Sequence, residues 1–434
     1  MIKRLHSIFL SSTGVTTDTR TIQQGNIFFA LKGPSFNGND FAEKALSEGC
    51  SYAIVDEERT EFKDDSRFIK VEDGLEALQQ LARYHRSKLK IPVIGLTGSN
   101  GKTTTKELIK AALSQRYSCY ATSGNLNNHI GVPLSVLSIN KKHEIAVIEM
   151  GANHQKEIEF LCTISKPDYG MITNIGLAHL EGFGGEEGVY KGKKELFDHL
   201  IAANGTLFVN QDDPKVKRAA GNTPNTGYGS SDSAVYQGDF SIENERLAIR
   251  WWRREKPTEK FAIQTNLTGS YNFQNTMAAV AIARYFGVSN KEIKTGLENY
   301  QPKNQRSQVE ETERDNKVIV DCYNANPSSM KAAIENMNAQ SHSHKVVILG
   351  DMLELGAETE RYHSEVLNQL ERSEFQKVIL VGEHFAKALS SDNYLSVIET
   401  AEAAEHLTAQ PIENSLVLLK GSRKKKLETL LELL

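Results

Sequence analysis

The chain has 434 residues, 39% hydrophobic and 24% charged, with a formal net charge of -4. That is the mixture of a globular protein of two to four domains at ~100–200 residues each, and the bulk charge gives no footing for binding nucleic acid or an anionic membrane. Cys50, Cys119, Cys162 and Cys322 lie far apart with no CxxC pair, which argues against a disulfide scaffold or a cysteine zinc site and fits a reducing compartment.

In chain order, MIKRLHSIFLSSTG carries two early cations and an apolar stretch too short and interrupted for a signal peptide. No later window approaches the ~20 apolar residues of a membrane helix. A cytoplasmic protein without membrane insertion is expected. A charged helix over Leu75–Lys90 ends before Pro92. Short β-branched apolar runs then alternate with helical patterns. The candidate strands are Val93–Thr97, Ile145–Glu149, Gly170–Ile175 and Thr206–Asn210. Between Gly229 and Leu267 the pattern becomes strict alternation, as in LAIRWWRRE and KFAIQTNL, which predicts an antiparallel hairpin extension with Trp251 and Trp252 on its faces. A helix over Met277–Phe286 follows, then a polar seam at Gln301–Ser307. The last candidate strands are Val318–Asp321, Val346–Leu349, Val378–Val381 and Leu416–Leu419. Runs of this kind bounded by Gly, Asp or Asn read as buried parallel strands with right-handed crossovers. The two seams divide the chain into three α/β domains, 1–90, 91–302 and 303–434.

The most informative segment is VIGLTGSNGKTTTKELIKAAL. An apolar strand enters a small polar loop, and a helix with Leu108, Ile109, Ala112 and Leu113 as its buried stripe leaves it. Gly98 and Gly101 let the backbone curl so that the N–H groups of Ser99, Asn100 and their neighbours converge on phosphate oxygens. The helix adds the positive end of its dipole. Lys102 can reach the β- and γ-phosphates, and the hydroxyls of Thr103 and Thr104 stand beside it, that of Thr103 as a Mg²⁺ ligand. The loop departs from GxxxxGK[ST], because Leu96 occupies the first glycine position.

Elsewhere, Glu149 ends a predicted strand, where a carboxylate faces the ligand crevice of a parallel sheet. Lys420, Ser422 and Arg423 follow the strand Leu416–Leu419, a strand end suited to a carboxylate, and Asp351 follows the strand beginning at Val346. Lys424–Lys426 read as solvated surface.

TGSNGKT resembles the phosphate loop of the Mur ligases and of their relatives, the folylpolyglutamate synthases. GNLNNHIGVP from Gly124, VIEMGANHQKEI from Val147, NIGLAHLEGFGG from Asn174, DCYNANPSSM from Asp321, LGDMLELG from Leu349 and LKGSR from Leu419 resemble the branch of that family that adds D-alanyl-D-alanine. TTDTR from Thr16 and GNIFFALKGPSFNGNDF from Gly25 resemble its UDP-binding module. The resemblance spans roughly residues 15–425. It implies a small N-terminal α/β UDP-binding domain, a central P-loop-type domain with a mostly parallel sheet, and a C-terminal Rossmann-like domain. It also implies a monomer that uses ATP and Mg²⁺ to join UDP-N-acetylmuramoyl-tripeptide to D-alanyl-D-alanine; another Mur ligase or a folylpolyglutamate synthase-type ligase is the alternative.

By resemblance, Thr19 and Arg20 lie near the uridine diphosphate, and Asn127 and Asn128 near the donor peptide. Glu149 and His179 become Mg²⁺ ligands, with His129 in a substrate loop and His154 structural. A carbamylated lysine falls in VYKGKKELF at Lys193, with Lys191 as the other possibility. Asn272 contacts adenine, while Tyr271 stands where relatives often have His. Arg306 crosses to the γ-phosphate, Asp321 lies by the ribose with Tyr323 in the same loop, and Asn326, Asp351, Lys420, Ser422 and Arg423 face the incoming dipeptide.

Overall fold

A computed structural model describes residues 1–303, 305–390 and 393–434. Asn304, inside the predicted polar seam, lies outside the described residues. The chain folds into three α/β units, each built on its own largely parallel sheet.

The first sheet is parallel, in the order Val15–Thr16, Ile27–Phe29, Tyr52–Val55, Phe68–Lys70. The charged helix spans Gly74–Arg86, slightly shorter than expected. Its start is fixed by Asp73, whose side chain accepts the Glu76 N–H at 2.8 Å. This helix is shared with the next unit. The Arg86 guanidinium donates to Ser165 O and Lys166 O, both at 2.8 Å, and to Asp168 Oδ2 at 2.9 Å. Gln79 donates to His129 O at 3.0 Å.

The second sheet has nine strands. From one edge they are Cys119–Ala121, Ile145–Glu149, Val93–Thr97, Tyr169–Ile172, Thr206–Asn210, Asn225–Gly229 and Tyr236–Glu243, all parallel. Arg246–Arg253 and Lys256–Gln264 complete it as the expected antiparallel extension, with Trp251 buried and Trp252 half-buried. The parallel strands Val93–Thr97 and Ile145–Glu149 are buried along their whole length, which explains their unbroken apolar runs. From the central strand Val93–Thr97 the chain departs to opposite sides, placing Ile145–Glu149 on one flank and Tyr169–Ile172 on the other. That reversal opens a crevice at the carboxyl ends of the three strands. Helix Asn272–Tyr285 is buried on nearly every side through its alanine-rich run, and it packs on helix Lys102–Leu113.

The third sheet runs Gln308–Glu311, Lys317–Asp321, Leu416–Lys420, Lys345–Gly350, Lys377–Val381, Leu395–Val397 and is parallel except for the first strand. Asp321 and Lys420 are register partners at neighbouring strand ends, facing the crevice of the central sheet. Among the described residues no helix is long and apolar enough to cross a membrane.

Candidate active site

The strand predicted to reach Ile175 stops at Ile172. The residues beyond it leave the ladder to hold the phosphate loop. Thr173 Oγ1 donates to Asn100 O at 2.6 Å, Asn174 Nδ2 donates to the same carbonyl at 3.0 Å, and Asn174 Oδ1 accepts the Asn100 N–H at 3.0 Å. The Ser99 N–H donates to Asn174 O at 3.0 Å, and Ser99 Oγ donates to Gly176 O at 3.1 Å. The loop is therefore tied down before any anion arrives. Two glycines are obligatory within it. Gly98 (φ 147°) lies so close to Thr173 that a Cβ would collide with Oγ1. Gly101 (φ 75°) begins helix Lys102–Leu113 and would place a Cβ 2.7 Å from Asn275 Oδ1.

Lys102 folds back over the loop, donating to Gly98 O at 2.7 Å and Ser99 O at 3.1 Å. Burial pulls its pKa down to about 8, helped by the nearby Arg306 charge and opposed by Glu149. Glu149 is 1% exposed. Its Oε1 accepts from Asn127 Nδ2 at 2.8 Å and Thr103 Oγ1 at 3.3 Å, while its Oε2 has no hydrogen-bond partner, only Lys106 Nζ at 3.6 Å. A buried carboxylate oxygen without a partner beside a threonine hydroxyl is a hard-donor arrangement suited to Mg²⁺. Among the described residues no group of three or more His, Cys, Asp or Glu side chains forms a ready cage.

Lys193, on helix Glu186–Ala202, is completely buried. Its Nζ donates to Ala152 O at 3.2 Å and lies 4.9 Å from the Phe183 ring centroid. Burial, with the Lys102 charge second, lowers its pKa well below the usual lysine range. Lys191 is exposed on another face of that helix.

The opposite wall comes from the third domain. The Arg306 guanidinium lies 3.8 Å from the Tyr323 ring centroid, and Arg423 lies 5.3 Å from the same ring. Lys420 Nζ pairs with Asp321 Oδ2 at 2.5 Å. Asn326 caps helix Pro327–Ala339 and donates from Nδ2 to Asn100 Oδ1 at 2.7 Å, reaching the phosphate loop itself. Ser328 Oγ accepts the Leu177 N–H at 2.9 Å. His179 Nδ1 is bonded to Glu354 Oε2 across the same interface. The cleft between the two walls, open to solvent, measures about 820 Å³.

Of the residues singled out in the sequence, the cleft gathers Ser99 to Thr104, Asn127, Asn128, Glu149, His179, Asn272, Arg306, Asp321, Tyr323, Asn326 and Lys420, with His129. Gly98 forms the base of the phosphate loop, Lys193 lies just behind the wall at Ala152, and Arg423 stands behind Tyr323. Thr19 and Arg20 are away from the cleft, in a turn of the first domain, where Arg20 is exposed and paired with Asp18 at 2.7 Å. That partner holds the Asp18 carboxyl down to about 2. Asp351 is buried outside the cleft, accepting the N–H groups of His384 at 3.2 Å and Phe385 at 3.1 Å. Ser422 is buried there too, and its N–H donates to Asp351 O at 3.2 Å. His154 faces Glu157 at the surface.

Sequence reasoning missed three supports. Asn174 holds the loop, as described. Asn275 accepts from Thr105 Oγ1 at 3.0 Å and donates to Asn272 Oδ1 at 2.8 Å under Gly101. Glu354, in LGDMLELG, reaches His179. Only the polar residue in an apolar helix, at Asn275, left a signal in the sequence.

Profiles for the Mur ligase family catalytic domain, the Mur ligase middle domain and the Mur ligase glutamate ligase domain match residues 11–86, 96–283 and 305–423. The UDP-N-acetylmuramoyl-tripeptide--D-alanyl-D-alanine ligase of Bacillus subtilis (strain 168) is 35% identical over 427 residues, spanning 96% of this chain and 92% of that protein. The Escherichia coli (strain K12) ligase of the same name is 34% identical over 85% of this chain and 81% of its own length. Among solved structures, MurF from Acinetobacter baumannii gives a TM-score of 0.87 at 32% identity, covering 99% of this chain and 97% of that one. MurF ligase from Thermotoga maritima in complex with ADP gives 0.85 at 27% identity, covering 98% and 97%.

Proposed function

This chain belongs to the Mur ligase family, and on that premise we propose that it is the ATP-dependent ligase that adds D-alanyl-D-alanine to UDP-N-acetylmuramoyl-tripeptide in peptidoglycan precursor synthesis. The carrying observation is one cleft in which a tethered phosphate loop and a buried carboxylate face Arg306 and Lys420 from a second domain. The same reading makes it a cytoplasmic monomer.

A peptide carboxylate is a poor electrophile, so the reaction runs through an acyl phosphate. One carboxylate oxygen of the tripeptide attacks the γ-phosphorus and ADP departs. The neutral amine of D-alanyl-D-alanine then attacks the acyl carbon, and phosphate leaves with that oxygen. Two anions must meet in the first step, and the cations of this site answer that need. Lys102 covers the β- and γ-phosphates, and Arg306 approaches from the other wall, where the Tyr323 ring keeps its guanidinium flat. Magnesium, when bound, supplies further positive charge between carboxylate and phosphate. Thr103, Glu149 and His179 are the groups to hold it, with Lys193 as a carbamate. The buried Glu149 Oε2, which accepts no hydrogen bond, supports the first pair, and the lowered pKa of Lys193 supports the last, because only a neutral amine adds CO₂.

Thr19 and Arg20 take the uridine diphosphate end, and Asn127 and Asn128 the peptide. Asn272, Asp321 and Tyr323 take the nucleoside, with Gly98 to Thr104 on its phosphates. Asn326, Lys420 and Arg423 form the dipeptide side, while Asp351 and Ser422, buried outside the cleft, brace the strand ends behind it. Closure of the domains excludes water that would hydrolyse the acyl phosphate.

The test is mass spectrometry after mixing ATP, Mg²⁺, UDP-tripeptide labelled with ¹⁸O in its terminal carboxylate, and D-alanyl-D-alanine. The product gains one dipeptide less water, and one ¹⁸O appears in the released phosphate. ATP hydrolysis that ignores both peptide substrates rejects the reading.

A further inference from the structure

His179 and Glu354 meet across the boundary between the second and third domains, and both hold unusual backbone conformations. His179 (φ 54°) begins the short helix Leu180–Phe183, and Glu354 (φ 62°) lies in the loop after strand Lys345–Gly350. Left-handed backbone is unfavourable for a residue with a side chain. It persists where the surroundings impose it, and it concentrates at functional sites. Here two such residues face each other in one contact.

The contact has further parts. The Glu181 N–H donates to Glu354 O at 3.3 Å, and Gly356 packs so closely on Glu181 that a Cβ there would lie 3.3 Å from Glu181 Cβ. An ionised carboxylate only accepts hydrogen bonds, so the His179 Nδ1–H is the donor to Glu354 Oε2. That bond fixes the tautomer and leaves the Nε2 lone pair free, on a residue that lines the cleft. Histidines that bind metals take this second-nitrogen partner almost invariably.

We propose that Glu354 is a positioning residue, a carboxylate from the third domain that sets the tautomer and orientation of His179, so that the nitrogen donor of the magnesium site is complete only when that domain is docked. This rests on the reading of His179 as a magnesium ligand. The coupling gives the site an order of events. The full positive charge that drives carboxylate activation is assembled in the closed cleft and not before, which keeps ATP from being discharged to water.

The experiment uses the full chain with a non-hydrolysable ATP analogue and Mn²⁺ as the probe, its equilibrium affinity read by electron paramagnetic resonance without turnover. Wild type, Glu354→Ala, Glu354→Asp and His179→Ala are compared. Glu354 is exposed, and melting temperatures verify that each variant folds. Glu354→Ala is expected to weaken Mn²⁺ about 10–100-fold, with Glu354→Asp recovering part of the loss and the metal-free affinity for the analogue unchanged. Mn²⁺ affinity that falls in His179→Ala but not in Glu354→Ala overturns the positioning role alone. Affinity unmoved in both overturns the reading of His179 as a ligand, and the proposal with it.

Discussion

The two walls of the cleft are made in different ways. The phosphate loop is fixed from within one domain. Ser99 and Asn100 are held by Thr173, Asn174 and Gly176, and Gly101 rests on Asn275. The facing wall, with Arg306, Tyr323, Asp321 and Lys420, belongs to a domain that touches the loop through a few side chains such as Asn326. One wall is preformed and the other is assembled. The two cations proposed to meet the γ-phosphate, Lys102 and Arg306, therefore stand on walls of different origin.

Mutations can break that contrast. The largest effect is expected for Lys102→Met, which removes the cation of the preformed wall. Steady-state kinetics should show kcat/KM down about 10³-fold. Arg306→Ala comes next, with kcat down about 10²-fold and the affinity for a non-hydrolysable ATP analogue nearly unchanged, measured by calorimetry; Arg306→Lys should restore only part, since a lysine lacks the planar face that lies on Tyr323. An equal loss of analogue affinity would show that Arg306 helps to hold the ground state and would erase the distinction.

A thermodynamic version follows. In double-mutant cycles read by urea unfolding, Asn100 with Asn326, one bond between domains, should couple by about 1 kcal/mol. Thr105 with Asn275, a buried side-chain bond within one domain, should couple by roughly twice that. A coupling across the domains as large as the one within would make the third domain part of the loop's scaffold.

The smallest effect is one of pH, at the seam between the first two domains. His6 Nε2 and His85 Nδ1 are 3.2 Å apart, and His85 Nε2 contacts Ile139 O at 2.8 Å. Burial lowers both pKa values, for His6 with help from the charges of His85 and Lys88, and for His85 against the pull of the Ile139 carbonyl. Because the folded values lie below the ordinary 6.5, the neutral pair's contribution is complete above that pH and is lost as pH falls from 6.5 toward the folded values. Between pH 7 and pH 5 the melting temperature should drop by a further 2–4 °C or so in wild type relative to His85→Gln. Equal slopes would show that the pair carries no pH dependence.

What the sequence reveals follows the same divide. The strands Val93–Thr97, Ile145–Glu149 and Thr206–Asn210 were readable to the residue, since strands buried on both faces leave continuous apolar runs. The loop from Gly98 to Thr103 was readable because its glycines, hydroxyls and lysine occupy consecutive positions. Strand Tyr169–Ile172 was overestimated because Thr173 and Asn174 have side chains at home in an extended segment and abandon the ladder only to grip Asn100. The assembled wall was far less legible. Tyr323 between Arg306 and Arg423, or Glu354 on His179, joins residues 17 to 175 positions apart in the chain, and docking, which no local pattern records, creates those contacts. Asp351 shows the cost, for a strand-end acid has the same local signature whether it faces a ligand or, as here, the backbone of a neighbouring helix.

Arg86 has a broader consequence. Gripping two carbonyls and a carboxylate of the central domain from a helix of the first, it welds those domains into one body. On the function proposed above, the stretch from the Thr19–Thr21 turn to the phosphate loop is then a calliper of fixed gape, and a donor is gauged by its length as well as by its chemical groups.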